Sequence, residues 1–516
     1  MSPRAFAAAL VAAVVLLTAA VTPATAGRRV ELADYYRFET AGNAAISPDG
    51  RFVAFVRTFI VEDQNRRQSE IWLAPADGSA PAVRLTSPAF SATNPRWSPD
   101  GALLAFTSRR PVVNAQTRPG DEERSIWFLR MDRPGGEAFQ IDGVTGMPVF
   151  SPDNRWIAFT KAAPPGPKPK ATYASDFDRK LAERFTGKAF DWMQYRFDGR
   201  GYLPDPNDPL ATPPQELFLV ARSGGTPKAL TTTGVTVSDV AWRPDSQALA
   251  FIANSHQRDP YLYERADVWT VTLDAAQNAT VTRLTDDGYD HSAVTWSPDG
   301  KTLLFRRQQG LSAILAAKQR FGSPVDLARI AASGGAIENL TRDWDLIPGA
   351  PQFGADGAVY FSGGINGVTH LFRAAAAASG GASGVVDDLT PGERDLDGVT
   401  FALNVPGPGA ARIAYAAADS LHPAEIFSAN LDAARSGGVS GTTGTSGTSG
   451  TNGTTSTSSS RARLADEKKL SAVNDALLAT LDLGRTERVR YRSKDGTEVE
   501  GWVTLPPDYD AAKGPY

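Results

Sequence analysis

The sequence predicts an all-β protein, a seven-bladed β-propeller of four-stranded blades, followed by a separate C-terminal hairpin. Three observations predict it. First, a tight turn of the form Ser-Pro-Asp-Gly joins two short apolar runs, as in Trp296-Ser297-Pro298-Asp299-Gly300 before Leu303-Leu304-Phe305. Proline presets φ, aspartate bonds back to the backbone, and glycine tolerates the exit conformation, so the segment reads as a hairpin. Second, the unit recurs. Turn prolines Pro48, Pro99, Pro152, Pro244 and Pro298 lie 51, 53, 92 and 54 residues apart, and Phe353-Gly354-Ala355-Asp356-Gly357 is a degenerate copy. Third, Leu85-Thr86, Leu230-Thr231, Leu284-Thr285, Leu340-Thr341 and Leu389-Thr390 each close a unit. Repeats of about 40–50 residues with four strands each mark a propeller. One blade cannot bury both faces of its sheet, so the blades must stack around an axis.

Composition narrows the function classes. The 53 basic and 57 acidic residues nearly balance, which argues against nucleic acid or an anionic membrane as partner. Cysteine is absent, so disulfides, thiolate metal sites and a cysteine nucleophile are excluded. The four histidines, His256, His291, His370 and His422, share no metal-type spacing. Each is expected to be an ordinary loop or strand residue, and neither metal nor cofactor is expected.

Residues 1–26 have the secretory pattern: a basic start at Arg4, an apolar run over 5–20, and the small-x-small site Ala24-Thr25-Ala26. The mature chain is therefore expected to be exported, to a periplasm or beyond. The propeller is expected over residues 27–475. Blade one covers about 31–86 and blade two about 94–142, with Ser125-Ile126-Trp127-Phe128-Leu129 as its third strand. The loop before that strand holds Glu122 and Glu123. Paired carboxylates can clamp a free amino terminus, so these two are the candidate substrate-binding residues; a solvated charged loop is the competing reading.

Blade three absorbs the 92-residue gap. Inside it Leu181, Phe185, Ala189 and Trp192-Met193 recur at helical spacing, with Asp176 or Asp178 as cap. An amphipathic helix packed on the propeller is expected, the alternative being a lid or a contact element for a partner domain. Blades four to six follow with their turns and Leu-Thr endings. Blade seven begins near Val399. Its Gly/Ser/Thr tract over 436–460 can bury nothing. Asn430-Leu431-Asp432 before the tract and Arg463-Leu464-Ala465 after it match a third-strand exit and a fourth strand. The tract therefore reads as a long loop within one hairpin, which chain entropy tolerates because closure cost grows slowly with length. Finally Glu487-Arg488-Val489-Arg490-Tyr491 and Glu498-Val499-Glu500-Gly501-Trp502-Val503-Thr504-Leu505 flank the turn Ser493-Lys494-Asp495-Gly496.

From residue 31 onward the chain resembles the prolyl oligopeptidase family of serine peptidases, in its secreted dipeptidyl-peptidase and acylaminoacyl-peptidase branch. The Ser-Pro-Asp-Gly blades, Arg196-Phe197-Asp198-Gly199-Arg200-Gly201-Tyr202, and the hairpin running into Leu505-Pro506-Pro507 carry the resemblance. It implies that residues 476–516 open an α/β-hydrolase domain and that the propeller limits access to a peptidase site by substrate size. That family's nucleophile sits in a Gly-x-Ser-x-Gly elbow, with Asp and His after it. No serine here has that setting; in Gly444-Thr445-Ser446-Gly447 the second glycine comes one residue too early. No catalytic residue carries over. The chain is thus expected to be the propeller portion of an exported peptidase with the catalytic domain missing, and inactive alone. A stand-alone TolB-like interaction propeller is the alternative, but it would have no use for the hairpin. The hairpin's open edge is expected to promote self-association.

Deleting residues 437–459 should leave the fold intact, checked by circular dichroism and gel filtration. A deletion variant that aggregates would show that the tract packs.

Overall fold

The computed structural model describes residues 27–110, 125–133, 136–163, 172–185, 196–197, 201–202, 213–256, 265–310, 314, 318, 324–354, 357–374, 386–403, 405, 411–432 and 463–514. It divides into two compact units. The larger holds Glu39–Asp419 and Pro423–Ser471. The described residues before it group with Ser420–His422 and Ala472 onward.

The larger unit is a seven-bladed propeller of antiparallel sheets, each built from consecutive strands except that a two-stranded hairpin interrupts blade III. Blades I to VII span 40–84, 92–130, 149–229, 237–283, 289–339, 352–388 and 395–469. Six sheets have four strands. In blade II the fourth is reduced to Phe139, which exchanges both backbone bonds with Phe128 at 2.8 and 2.9 Å. In blade VII the third strand, Glu425–Asp432, pairs with the fourth, Arg463–Lys469, placing Leu431 opposite Leu464. The tract between them lies outside the described residues.

The turn chemistry explains the repeat. Ser47 Oγ donates to Asp49 Oδ1 at 2.6 Å and accepts the Phe52 N–H at 2.9 Å, while Asp49 Oδ1 also accepts the Arg51 N–H at 3.1 Å. The same three bonds recur at Ser98-Asp100, Ser151-Asp153 and Ser297-Asp299. The last turn position needs φ near +65°: Gly50, Gly101 and Gly300 supply it, and Asn154 and Ser246 take it in the degenerate copies.

The Leu-Thr endings have their own reason. The threonine hydroxyl accepts a backbone N–H of the third strand: Thr86 from Ile71, Thr231 from Leu217, Thr285 from Val268, Thr341 from Leu327 and Thr390 from Leu371, all at 2.9–3.0 Å. It also donates to the carboxylate one residue before that N–H, within the third strand: Thr231 to Glu216 at 2.5 Å and Thr285 to Asp267 at 3.0 Å. In blade VII Ser471 does both, with Ile426 and Glu425.

Central strands are apolar on both faces because each blade packs against two others. In blade V, Leu303 and Phe305 join blade IV residues in one buried cluster, while Leu304 joins blade VI residues in the next. Such clusters straddle the joints I–II through VI–VII. Indole N–H groups cross the joints as well: Trp97 donates to Ala45 O at 2.9 Å, Trp242 to Val149 O at 2.9 Å, and Trp296 to Ala241 O at 3.2 Å. Trp242 and Trp296 are buried, whereas Trp97 is only half-buried. Blade VII meets blade I without a shared strand. Ile46 N–H reaches Thr400 Oγ1 at 3.2 Å, Arg412 donates to Gly50 O at 3.0 Å, and Ser428 donates to Ala76 O.

Each long first strand carries a bulge, with a left-handed residue at Asn43, Asn94, Asp239, Ala293 or Gly398. Four of the five are residues that tolerate this conformation; Ala293, at φ 55°, is not.

The helix in blade III runs over Asp176–Arg184, and its N-cap is Ser175, which accepts the Asp178 N–H at 3.1 Å, rather than Asp176 or Asp178. It is held by its own ion pairs, Arg179 to Asp176 and Glu183 and Lys180 to Asp176. Its apolar side is not packed: Phe177 is 72 % exposed and Leu181 57 %. Ala189, Trp192 and Met193 lie outside the described residues. The short hairpin Arg196–Phe197 with Gly201–Tyr202 follows.

In the smaller unit Arg28 bridges to Leu481, its N–H reaching Thr480 O at 2.9 Å and its guanidinium gripping buried Asp34. Arg485–Arg492 and Glu498–Leu505 form the expected hairpin, turned by Ser493 and Asp495, with Tyr491 and Trp502 exposed.

Trp296→Ala should destabilise the propeller by ~3–5 kcal/mol through its cavity; an unchanged denaturation midpoint would mean that the joint does not depend on the indole. Ala293→Gly should not destabilise it and should gain up to about 1 kcal/mol, because left-handed strain of ~1–2 kcal/mol outweighs the extra entropy of glycine in the unfolded chain.

Candidate functional site

The first strands face the propeller axis, and their bulges shape the wall. A cavity of about 880 Å³ is lined by the inner strands of blades I, II, III, IV and VII. Its lining is largely apolar, with Trp97, Met147, Phe150 and Phe401 among the larger side chains, Asn43 and Asn94 as amides, Arg96 as cation and Asp239 as anion. Asp239 Oδ2 is committed to the Ala293 N–H at 2.7 Å, which carries the wall from blade IV to blade V. Such a surface can hydrogen-bond an extended peptide along its backbone. It offers steric selection rather than bond-breaking chemistry. The sequence carries a signal for these positions: Asn43, Asn94, Asp239 and Ala293 each stand four residues before the turn residue Ser47, Ser98, Arg243 or Ser297.

Antiparallel order puts the starts of first strands, the connections from second to third strands and the Leu-Thr corners at one end of the propeller. The Ser-Pro-Asp turns lie at the other. The long connection over 163–214 leaves and rejoins at the corner end. Buried carboxylates collect at that end because the corner threonines need them. Asp267 is fully buried; burial pushes its carboxyl up, against the opposing pull of Arg283 and Thr285. In blade VI a histidine stands in the acid's place: His370 Nδ1 lies 2.8 Å from Asp388 Oδ2 and Nε2 lies 3.1 Å from Gly392 O. An Asp–His pair is two parts of a catalytic triad, but here Nε2, the nitrogen that would serve a nucleophile, is occupied by a carbonyl. The pair braces the corner.

Glu122 and Glu123 lie outside the described residues. Of the four histidines, His291 and His370 are buried, in different blades, and were expected to be ordinary strand residues. His370 lies in its strand but also ties the corner. His291 sits with Asp267 and Asp287, a grouping that no spacing in the sequence announces. Among the described residues no helix is long and apolar enough to cross a membrane.

No protein-family model matches the chain. Dipeptidyl-peptidase 5 of Porphyromonas gingivalis is 22 % identical over 98 % of this chain and 65 % of its own length. The uncharacterized peptidase YuxL of Bacillus subtilis is 28 % identical over 41 % of this chain and 29 % of its own. The chain thus spans less than two thirds of the curated relatives it matches. Among solved structures, the acylaminoacyl peptidase of Pyrococcus horikoshii superposes with a TM-score of 0.57 at 14 % identity, covering 92 % of this chain and 59 % of that one. The homologues and structural neighbours of this seven-bladed propeller are peptidases of the prolyl oligopeptidase family.

Proposed function

We propose that this chain is the propeller part of an exported serine peptidase acting on oligopeptides, of dipeptidyl- or acylaminoacyl-peptidase type, and that the propeller restricts which substrates reach the catalytic site. The observation that carries the reading is the reach of the likeness to dipeptidyl-peptidase 5. One alignment spans 98 % of this chain, propeller and terminal hairpin together. A stand-alone interaction propeller has no role for that hairpin.

Acyl transfer needs an activated nucleophile, a base and donors set around the developing oxyanion. Those parts are to come from a hydrolase domain joined to the hairpin. The 1–26 segment directs export, and Glu122 and Glu123 remain candidates for gripping a substrate amino terminus. The propeller's part is steric: the cavity lined by its inner strands admits short flexible peptides and excludes folded chains. The open side of helix Asp176–Arg184 favours its role as a contact element.

The purified 516-residue chain should neither hydrolyse dipeptidyl or acylaminoacyl substrates nor react with a fluorophosphonate probe, and should self-associate through its C-terminal hairpin. Fusing the hydrolase domain of a relative after Tyr516 should restore probe labelling and cleavage of short peptides. Covalent labelling of the chain itself at one serine would overturn the division of labour. A folded fusion that labels but cleaves large and small substrates equally would overturn the filtering role.

A further inference from the structure

Three ligand-type side chains meet at the joint between blades IV and V. Asp267 opens the third strand of blade IV, Asp287 lies in the connection after its fourth strand, and His291 lies in the first strand of blade V. One donor atom from each lies within 4.8 Å of the other two.

The histidine is set as a ligand would be. It is 1 % exposed, and both its backbone N–H and its Nδ1 reach the Ala266 carbonyl, at 2.9 and 2.7 Å. A carbonyl only accepts, so Nδ1 carries a proton, and a neutral ring so held has its lone pair at Nε2. That nitrogen is buried and has no hydrogen-bond partner. It faces Asp287 Oδ1 at 3.6 Å. This is too long for a hydrogen bond. It is close to the roughly 3.4 Å that separates two ligands on one tetrahedral ion with bonds of about 2.0–2.1 Å.

The carboxylates are set the same way. Asp267 gives Oδ2 to Arg283, at 2.6 and 3.1 Å, and Asp287 gives Oδ2 to Arg307, at 2.8 and 2.9 Å. Their Oδ1 atoms take one neutral donor each, the Thr285 hydroxyl at 3.0 Å and the Tyr289 N–H at 3.1 Å. A carboxylate oxygen has two lone pairs, so each Oδ1 keeps one. A carbonyl behind the imidazole and arginines behind the carboxylates are the outer partners that orient metal ligands.

We propose that Asp267, Asp287 and His291 bind one first-row divalent cation, zinc for preference, and that the ion ties blade IV to blade V. Solvent completes the coordination beside Asp287, whose side chain is 23 % exposed. One imidazole nitrogen with two carboxylate oxygens suits Zn²⁺ or Co²⁺, whereas Ca²⁺ and Mg²⁺ take oxygen throughout. Arg265, Arg283 and Arg307 balance Asp267, Asp286 and Asp287, so binding is weaker than at an uncompensated acidic site.

The test uses the full chain, freed of metal with a chelator and then titrated separately with Zn²⁺, Co²⁺, Ca²⁺ and Mg²⁺. One equivalent of Zn²⁺ or Co²⁺ should bind and raise the melting temperature, Co²⁺ should develop visible d–d absorption, and Ca²⁺ and Mg²⁺ should do neither. His291→Gln and Asp287→Asn should each weaken Zn²⁺ binding at least ~10–100-fold, the range for losing even an outer partner. Asp287 is the more exposed of the two, so its variant keeps the test open if His291→Gln misfolds. Absence of a one-equivalent Zn²⁺ or Co²⁺ site in the folded chain would overturn the proposal. So would binding left unchanged in either folded variant, since the ion would then sit elsewhere.

Discussion

A blade of this protein has two apolar faces and can bury neither alone. That constraint sets almost everything else. It forces the buried stretch of each central strand to be apolar on both faces, with Leu303 and Phe305 turned to one neighbour and Leu304 to the other. It forces the blades into a ring, because a linear stack would leave two such faces in water, and burial at about 25 cal/mol per Å² is the main favourable term in folding. It also makes the last joint a special problem. Blades I and VII share no strand, so this joint rests on side-chain and backbone contacts such as Ile46 to Thr400 and Arg412 to Gly50. At Gly50 a Cβ would come within 2.6 Å of Val405, so the glycine serves both its turn and this closure.

The polar residues that recur from blade to blade are tied to the backbone. In four turns a serine and an aspartate cap the N–H groups that a tight hairpin leaves unpaired, and the corner threonine does the same for the third strand. Leaving such a group unsatisfied in the interior costs about 1–3 kcal/mol, which explains why these residue types recur while the apolar positions vary in size. Blade VI shows the rule by exception. Its corner threonine, Thr390, accepts the N–H of Leu371, the residue after a histidine held by Asp388, and that imidazole stands where a carboxylate stands in other blades.

The same architecture separates two jobs. Turns and corners repeat from blade to blade, whereas the bulges and the longest connection differ between blades. Bulges on the first strands shape the channel, and the longest connection, in blade III, leaves from the corner end.

The repeat, the number of blades and the hairpin that follows were legible in the sequence, because they rest on local chemistry: a turn of four residues and apolar runs that alternate with it. The turn and corner residues could be found the same way, since their partners lie within one blade. What lay beyond the sequence depends on chain segments meeting across a joint. The helix Asp176–Arg184 has the spacing of a packed element, yet whether anything covers its apolar side is a matter of what lies opposite, and there Phe177 and Leu181 meet solvent. The histidines show the same division. Spacing along the chain marks none of them as special. His291 gains Asp267 and Asp287 as neighbours only when blade V docks on blade IV, and His370 gains Asp388 only when its blade's fourth strand pairs. Local sequence decides which turns and strands form, because their hydrogen bonds close over a few residues; which buried polar groups meet is decided by packing between elements distant in the chain.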